Sequence, residues 1–295
     1  MNRYSTHIPV YALALTLAAL GCGPKQRSSA PASPAADSSG AITIKGSDTM
    51  LHLVTAWADA YMKSNAGATV SVTGGGSGTG IASLLNGTTS ICASSRDLNE
   101  EEQRLAADKG LQLHPVVVAR DAITIVVHPA NPIGELTIEQ LKKIYTGAYT
   151  TWDQLGGPAE PIVVLSRESS SGTYMFFLEH VLEKEDFSAN AMLLPATSAI
   201  IQSVADSPWA IGYVGLGYAE EAAQKVKILP VKKDAQSAAI MPTVGTVTSG
   251  EYSIARPLLL VTAGEPAGAI KAFIDSCLSA DGQKLVAETG YVTVN

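Results

Sequence analysis

The sequence predicts an α/β protein built as two lobes with a cleft between them. Three observations carry this reading. Strand-like runs alternate with helix-like runs along most of the chain, the pattern of a mainly parallel sheet covered by helices on both faces. Of the 295 residues the first forty do not read as folded, and the roughly 255 that remain exceed one typical domain and suit two. Three strand-like runs end in short Gly/Ser/Thr-rich stretches that each open a helix, and loops beyond strand carboxyl ends are where open α/β sheets bind ligands.

At the N-terminus, Arg3 precedes the apolar run Ile8 to Leu20, an export signal too short for the ~20 residues of a membrane span. Ala19-Leu20-Gly21-Cys22 is similar to a bacterial lipobox with its leucine displaced by one position. Residues 1–22 are therefore the expected signal and Cys22 the expected lipidation site. Such an anchor holds a protein at the outer face of the cell membrane or in the periplasm without spanning a bilayer. Ser, Ala and Pro dominate 23–40, which reads as a flexible tether.

The elements then follow in order. Ile42-Thr43-Ile44 leads to a helix from Thr49 to Ser64, with Leu51, Val54, Ala58 and Tyr61 at helical spacing. Val70-Ser71-Val72 leads through a glycine loop to a helix from Gly78 to Leu85. Ser90 to Ala93 is a strand and Asn99 to Lys109 a charged helix. Two strands, Leu111 to Val118 and Ala122 to His128, precede the breakers Pro129 and Pro132. Thr137 caps a helix running to Ile144, Ile162 to Leu165 is a buried strand, and Gly172 to Leu182 and Ser198 to Ala205 are helices. Ala210 to Val214 and Pro257 to Thr262 are strands, and Pro266 to Leu278 and Gly282 to Thr289 are helices. Crossings near Ala119 to Ala122 and Ser253 to Pro257 divide the chain into one lobe of 41–120 plus 256–295 and another of 121–255.

Composition narrows the partners. A hydrophobic content of 46% with 16% charged residues gives a globular chain with a core. The formal net charge of -7 makes nucleic acid and acidic membrane surfaces poor partners, so any bound anion must be held by local donors. Gly46-Ser47-Asp48-Thr49, Thr73 to Gly80 and Arg167 to Thr173 supply such donors at helix N-termini, where free N–H groups and the dipole favour an anion. Ser47 and Thr49 either donate to that anion or cap their helix. Asp48 either serves the helix dipole or faces the cleft, where it tolerates only an anion with a proton to give, hence phosphate over sulfate. Ser77 is the hydroxyl of the glycine loop. Ser95 is a further donor, and Arg96 either contacts the ligand or pairs with Asp97 or Asp48. Arg167, at a strand end before Ser171, Gly172 and Thr173, offers a guanidinium fork to the anion.

Nothing here reads as catalysis. The five histidines, His7, His52, His114, His128 and His180, lack metal-ligand spacing, and Gly75 to Thr79 fails a nucleophile elbow at its last position. No enzyme, metal or cofactor is expected. Cys92 and Cys277 read as buried free thiols, and the three tryptophans as packing.

At Gly46-Ser47-Asp48-Thr49-Met50, Gly74 to Gly80, Ser94-Ser95-Arg96, Arg167 with Ser171-Gly172-Thr173, and Ile211 to Gly215, the chain resembles the phosphate-binding proteins of Pst-type ABC importers. The resemblance spans 41–295 and implies a type II periplasmic-binding-protein fold closing over dehydrated phosphate. It also implies permease subunits as partners, a monomer, and no cofactor. Loops 46–49 and 76–78 would hold one side of the anion, and Arg167, Ser171, Gly172 and Thr173 the other. Some members carry an acidic residue at the position of Ser95 to accept the phosphate proton; here that role falls to Asp48 or is absent. A phosphate-sensing or scavenging lipoprotein, a phosphomonoesterase on the same scaffold, and a receptor for another oxyanion are the alternatives.

Overall fold

The computed structural model describes residues 41–294. The expected signal with Cys22 and the tether at 23–40 lie outside the described residues. The chain begins β1 (Ala41–Gly46), α1 (Leu51–Ser64), β2 (Thr69–Thr73), α2 (Ser77–Leu85), β3 (Ile91–Ser94) and α3 (Glu100–Asp108). It continues with the long β4 (Leu113–Val127), β5 (Leu136–Thr137), α4 (Ile138–Thr146), a 3-10 turn at Trp152–Leu155, β6 (Val163–Arg167) and α5 (Gly172–His180). Next come β7 (Met192–Leu194), α6 (Thr197–Asp206), β8 (Ala210–Gly215), α7 (Leu216–Glu221), β9 (Lys227–Leu229), β10 (Val231–Lys232), β11 (Ala239–Ile240) and α8 (Val244–Thr248). It closes with β12 (Ala255–Ala263), α9 (Gly268–Leu278) and α10 (Ala280–Glu288).

The main sheet runs β2-β1-β3-β12-β4-β8-β6-β7, with β9 also paired to β4. Its two ends are parallel: β2, β1 and β3 at one, β8, β6 and β7 at the other. Its middle is not. β12 runs antiparallel to β3 and β4, and β4 antiparallel to β8. The sheet is therefore mixed, which corrects the expectation of a mainly parallel one. A strand that enters from the opposite end needs no crossover helix and pairs antiparallel.

A second correction concerns β4, expected as two strands, Leu111 to Val118 and Ala122 to His128. It is one strand of fifteen residues. The polar pair Arg120-Asp121 does not interrupt it because both residues find partners. Arg120 is exposed while its backbone bridges Val292, and Asp121 is buried against Arg256.

Apolar residues are buried in several clusters. One core gathers Ile42, Leu53, Trp57, Leu258 and Phe273 between β1, α1, β12 and α9. Another gathers Ile125, Tyr145, Trp152, Phe177 and Tyr213 between β4, α4, α5 and β8. Tryptophan acts as packing in both: the Trp57 indole N–H donates to Gly282 O at 2.8 Å and that of Trp152 to Trp209 O at 3.1 Å. Cys92 and Cys277 are buried and unbridged.

Thr137 caps α4 through a reciprocal box: its hydroxyl accepts from Gln140 N at 3.0 Å, and the Gln140 side chain accepts from Thr137 N at 2.8 Å. Two otherwise orphaned donors are satisfied this way. Thr137→Ala is expected to cost about 1 kcal/mol, read as a lower urea midpoint at unchanged slope.

Candidate anion-binding site

The loop after β1 carries Ser47, Asp48 and Thr49 into the middle of the molecule. Ser47 and Thr49 are buried. Ser47 N donates to Ala93 O at 2.8 Å, which ties the loop to the end of β3. The Ser47 hydroxyl lies 3.4 Å from Met50 N, an additional contact at the start of α1. From the far side the Tyr218 hydroxyl, on α7, donates to Asp48 O at 3.2 Å.

The glycine loop before α2 meets the loop before α5 directly: Gly78 N donates to Ser170 O at 3.0 Å. Gly76 has φ +96°, open to glycine and strained for other residues, and a Cβ there would lie 2.4 Å from Ser170 O. Ser77, the first residue of α2, and Ser95, just past β3, are fully buried. Their hydroxyls lie 3.4 Å apart, and Ser95 N donates to Ser77 Oγ at 3.1 Å. Gly172 sits against both.

The opposite wall is the start of α5. Ser171 caps it, its hydroxyl accepting from Thr173 N at 3.2 Å and Tyr174 N at 3.4 Å. The Thr173 hydroxyl lies 2.8 Å from that of Thr49 across the interface. Ser77, Ser95, Thr49, Thr173 and the N-terminus of α5 thus form one buried cluster of hydroxyls and amides, a set suited to an acceptor-only ligand.

Two sequence-predicted residues stand differently. Arg96 does not pair with Asp48 or the Asp97 carboxylate. Its terminal nitrogens grip Glu102 at 2.8 and 2.6 Å and the Asp97 carbonyl at 2.8 Å. That fork engages both terminal nitrogens, while Nε has no hydrogen-bond partner among the described residues. The physical reason is local: Glu102, in the first turn of α3, also accepts from Asn99 N in a capping box and presents both carboxylate oxygens to the guanidinium.

Arg167, at the end of β6, is buried but largely occupied. It donates to Leu194 O at 3.2 Å, Pro195 O at 2.8 Å and the Thr197 hydroxyl at 2.7 Å, with Asp48 Oδ2 at 3.3 Å. Asp48 Oδ2 also accepts from Thr197 N and Oγ1, both at 2.8 Å, and so caps α6 from across the interface. Burial draws the Arg167 pKa down from its ordinary value, and the Asp48 carboxylate opposes that shift.

Sequence reasoning missed Arg256, Asp121 and Thr197. Arg256, on β12, is buried and reaches the cluster itself, donating to the Thr173 hydroxyl at 3.0 Å. A surface groove of about 400 Å³ lies elsewhere, lined by His52, Tyr218 and the carboxylates of Glu220, Glu221 and Glu288, a setting that repels anions.

A family model described as a PBP superfamily domain matches residues 31–281. The phosphate-binding protein PstS of Bacillus subtilis strain 168 is 32% identical over 286 residues, covering 95% of this chain and 91% of its own. The chain belongs to the PstS family. Among solved structures, a phosphate ABC transporter substrate-binding protein of Clostridium perfringens with bound phosphate aligns with TM-score 0.78 and 32% identity, covering 86% of this chain and 100% of its own. An ABC-type phosphate transport receptor from Vibrio cholerae aligns with TM-score 0.69 and 31% identity, over 85% of this chain and 99% of its own. Against these PstS-family neighbours the fold is the expected type II periplasmic-binding-protein fold of two α/β lobes.

Proposed function

We propose that this protein is an extracytoplasmic receptor for inorganic phosphate that delivers its ligand to an ABC permease. Its two lobes, 41–120 with 256–295 and 121–255, close over the anion, and the protein itself performs no chemistry. The observation that carries this reading is the buried meeting of hydroxyls from opposite sides, Thr49 against Thr173 at 2.8 Å with Ser77 and Ser95 beside Gly172. Groups that meet only when the lobes meet complete a shell around a ligand, and binding then favours the closed state. The named relatives, which bind phosphate, support the choice of anion. Ser47, Asp48, Thr49, Ser77, Ser95, Arg167, Ser171, Gly172 and Thr173 are the proposed site. Lipidation at Cys22 would hold a monomer at the membrane, within reach of the permease subunits.

Titration calorimetry with phosphate, sulfate and molybdate tests the reading. Heat with phosphate at micromolar concentration is the expected result, and its absence removes the proposal.

Asp48 is the group proposed to tell phosphate from sulfate. Its Oδ2 is held by Thr197 and Arg167, whereas its Oδ1 has no hydrogen bond among the described residues. An oxygen carrying a proton can donate to Oδ1, and a fully deprotonated anion is repelled there. Asp48→Asn is expected to weaken phosphate binding about tenfold or more and to narrow the gap between phosphate and sulfate, read from parallel titrations of both anions. A variant that keeps the wild-type preference removes Asp48 from discrimination.

A further inference from the structure

We propose that Arg256 is a positioning residue of the anion site, one that fixes the hydroxyl pair Thr173–Thr49 as a donor. The inference rests on the phosphate-receptor reading.

Arg256 and Asp121 are fully buried at the side chain and face each other where β12 and β4 cross the middle of the sheet. Arg256 Nε and Nη2 both donate to Asp121 Oδ2, at 3.0 and 2.7 Å. Asp121 Oδ1 accepts from Leu216 N at 2.9 Å, so the carboxylate is anchored as well. The remaining nitrogen, Nη1, points away from Asp121. It donates to Ser95 O at 3.1 Å and to Thr173 Oγ1 at 3.0 Å. The guanidinium also lies 5.9 Å from the centre of the Phe176 ring, on the same helix as Thr173. One cation therefore touches both walls of the proposed site.

A buried ion pair by itself is weak support for stability, because desolvation offsets most of the attraction. What the fork does to its neighbours is more specific. A guanidinium has donors only, so Thr173 Oγ1 must accept from it. The two hydroxyls of Thr173 and Thr49 hold one proton each, and they lie 2.8 Å apart. One proton fills the bond between them. The other has no acceptor in the pair and is left for the ligand. Arg256 does not change that count; it fills a lone pair of Thr173 Oγ1 and holds the oxygen in place, which biases the corner toward donating to the ligand. With it, this corner presents a donor and takes a deprotonated phosphate oxygen, while Asp48, from the loop that also bears Thr49, takes the protonated one.

The test is a double-mutant cycle on the full chain, with phosphate as the titrant. Arg256→Lys keeps the charge but replaces the fork with one ammonium that cannot serve both Asp121 and Thr173. Thr173→Val removes the hydroxyl. Each single variant is expected to weaken phosphate binding about tenfold or more, and the double variant no more than the worse single one, because both remove the same device. Fold-losses that multiply overturn the inference and leave Arg256 a structural residue. Should Arg256→Lys fail to fold, Asp121→Asn gives the second reading. It loosens the fork that Asp121 anchors, so phosphate is expected to raise Tm by less than in wild type, and an equal or larger rise overturns the inference. Wild-type protein that fails to bind phosphate removes the receptor reading and this inference together, whereas binding with a multiplicative cycle removes this inference alone.

Discussion

Gly172→Ala is expected to abolish tight phosphate binding while leaving the ligand-free fold intact. A Cβ at this position would lie 2.2 Å from Ser77 Oγ, 2.7 Å from Ser95 Oγ and 2.9 Å from Ser77 Cβ. None of these is the end of a long, yielding side chain: both serines are buried and tied to each other. Closure with the extra methyl must push aside the donors it exists to assemble. Overpacking of this kind costs about 1–3 kcal/mol, and each displaced hydrogen bond to a charged ligand about 1.5–3 more. Affinity should therefore fall roughly a hundredfold or further. In the open state that the proposed closure implies, the two walls part and the clash is relieved. Gly172 is the first residue of α5, where alanine is favoured over glycine by up to about 1 kcal/mol. Thermal melts without ligand should thus be unchanged or slightly higher, while calorimetry shows the loss. Wild-type affinity would mean that Ser77, Ser95 and Gly172 do not come together around the anion. Gly76→Ala is a poorer probe, because its φ of +96° adds backbone strain to the clash.

Much of this architecture was legible because local signals coincide with it. β1, α1, β2, α2 and β3 follow their hydrophobic patterns to within a few residues of the expected limits. Thr137 with Gln140 is a capping box visible in four residues, and it starts α4 where expected. The short pieces, β5, β7 and β9 to β11, were not legible. They have two or three residues each, too few to show a period; β7 and β9 pair into the main sheet, while β5, β10 and β11 pair with one another in a separate small sheet. The helix α7 was hidden behind Gly215-Leu216-Gly217, which reads as a turn; the N-terminal N–H of Leu216 is instead satisfied by Asp121, far away in sequence.

The site divides the same way. The serine and threonine loops announce themselves by composition, so Ser77, Ser95, Thr49 and Thr173 were candidates from the sequence, and the structure brings their hydroxyls together. Arg256 and Asp121 were not, yet a faint signal existed. Arg256 falls in phase with the buried Leu258 and Leu260 on β12, and Asp121 in phase with Ala119 and Ile123 on β4. A charge on the inward phase of a strand has to be paired or neutralised. The two expected crossings between lobes were where to look for the partner. Arg96 reads differently. Its motif pointed to the ligand, whereas in this structure Glu102, six residues on, holds its terminal nitrogens at 2.6 and 2.8 Å.

Arg167→Ala is expected to weaken phosphate binding by about 2–5 kcal/mol, because it leaves charge in a buried site without its partner. Which charge is left is the informative part. In this structure the guanidinium is spent on Leu194 O, Pro195 O, Thr197 Oγ1 and Asp48 Oδ2. A guanidinium has five N–H groups; three are hydrogen-bonded here and Asp48 is held only as an ion pair, so two remain for the anion. Two mechanisms therefore compete. In the first, Arg167 touches phosphate and contributes directly. In the second, it chiefly neutralises Asp48, and its loss exposes the incoming anion to an unbalanced carboxylate. Arg167→Ala combined with Asp48→Asn separates them. If direct contact dominates, the double variant binds more weakly than either single one. If neutralisation dominates, removing the carboxylate relieves the repulsion, and the double variant regains part of the affinity lost in Arg167→Ala. The geometry favours the second, since Asp48 Oδ2 at 3.3 Å is the only carboxylate in an ion pair with Arg167 among the described residues. Arg167→Lys should then retain most of the neutralising effect despite losing the fork, and an affinity for Arg167→Lys as low as that of Arg167→Ala would instead assign the effect to bidentate contact with the ligand.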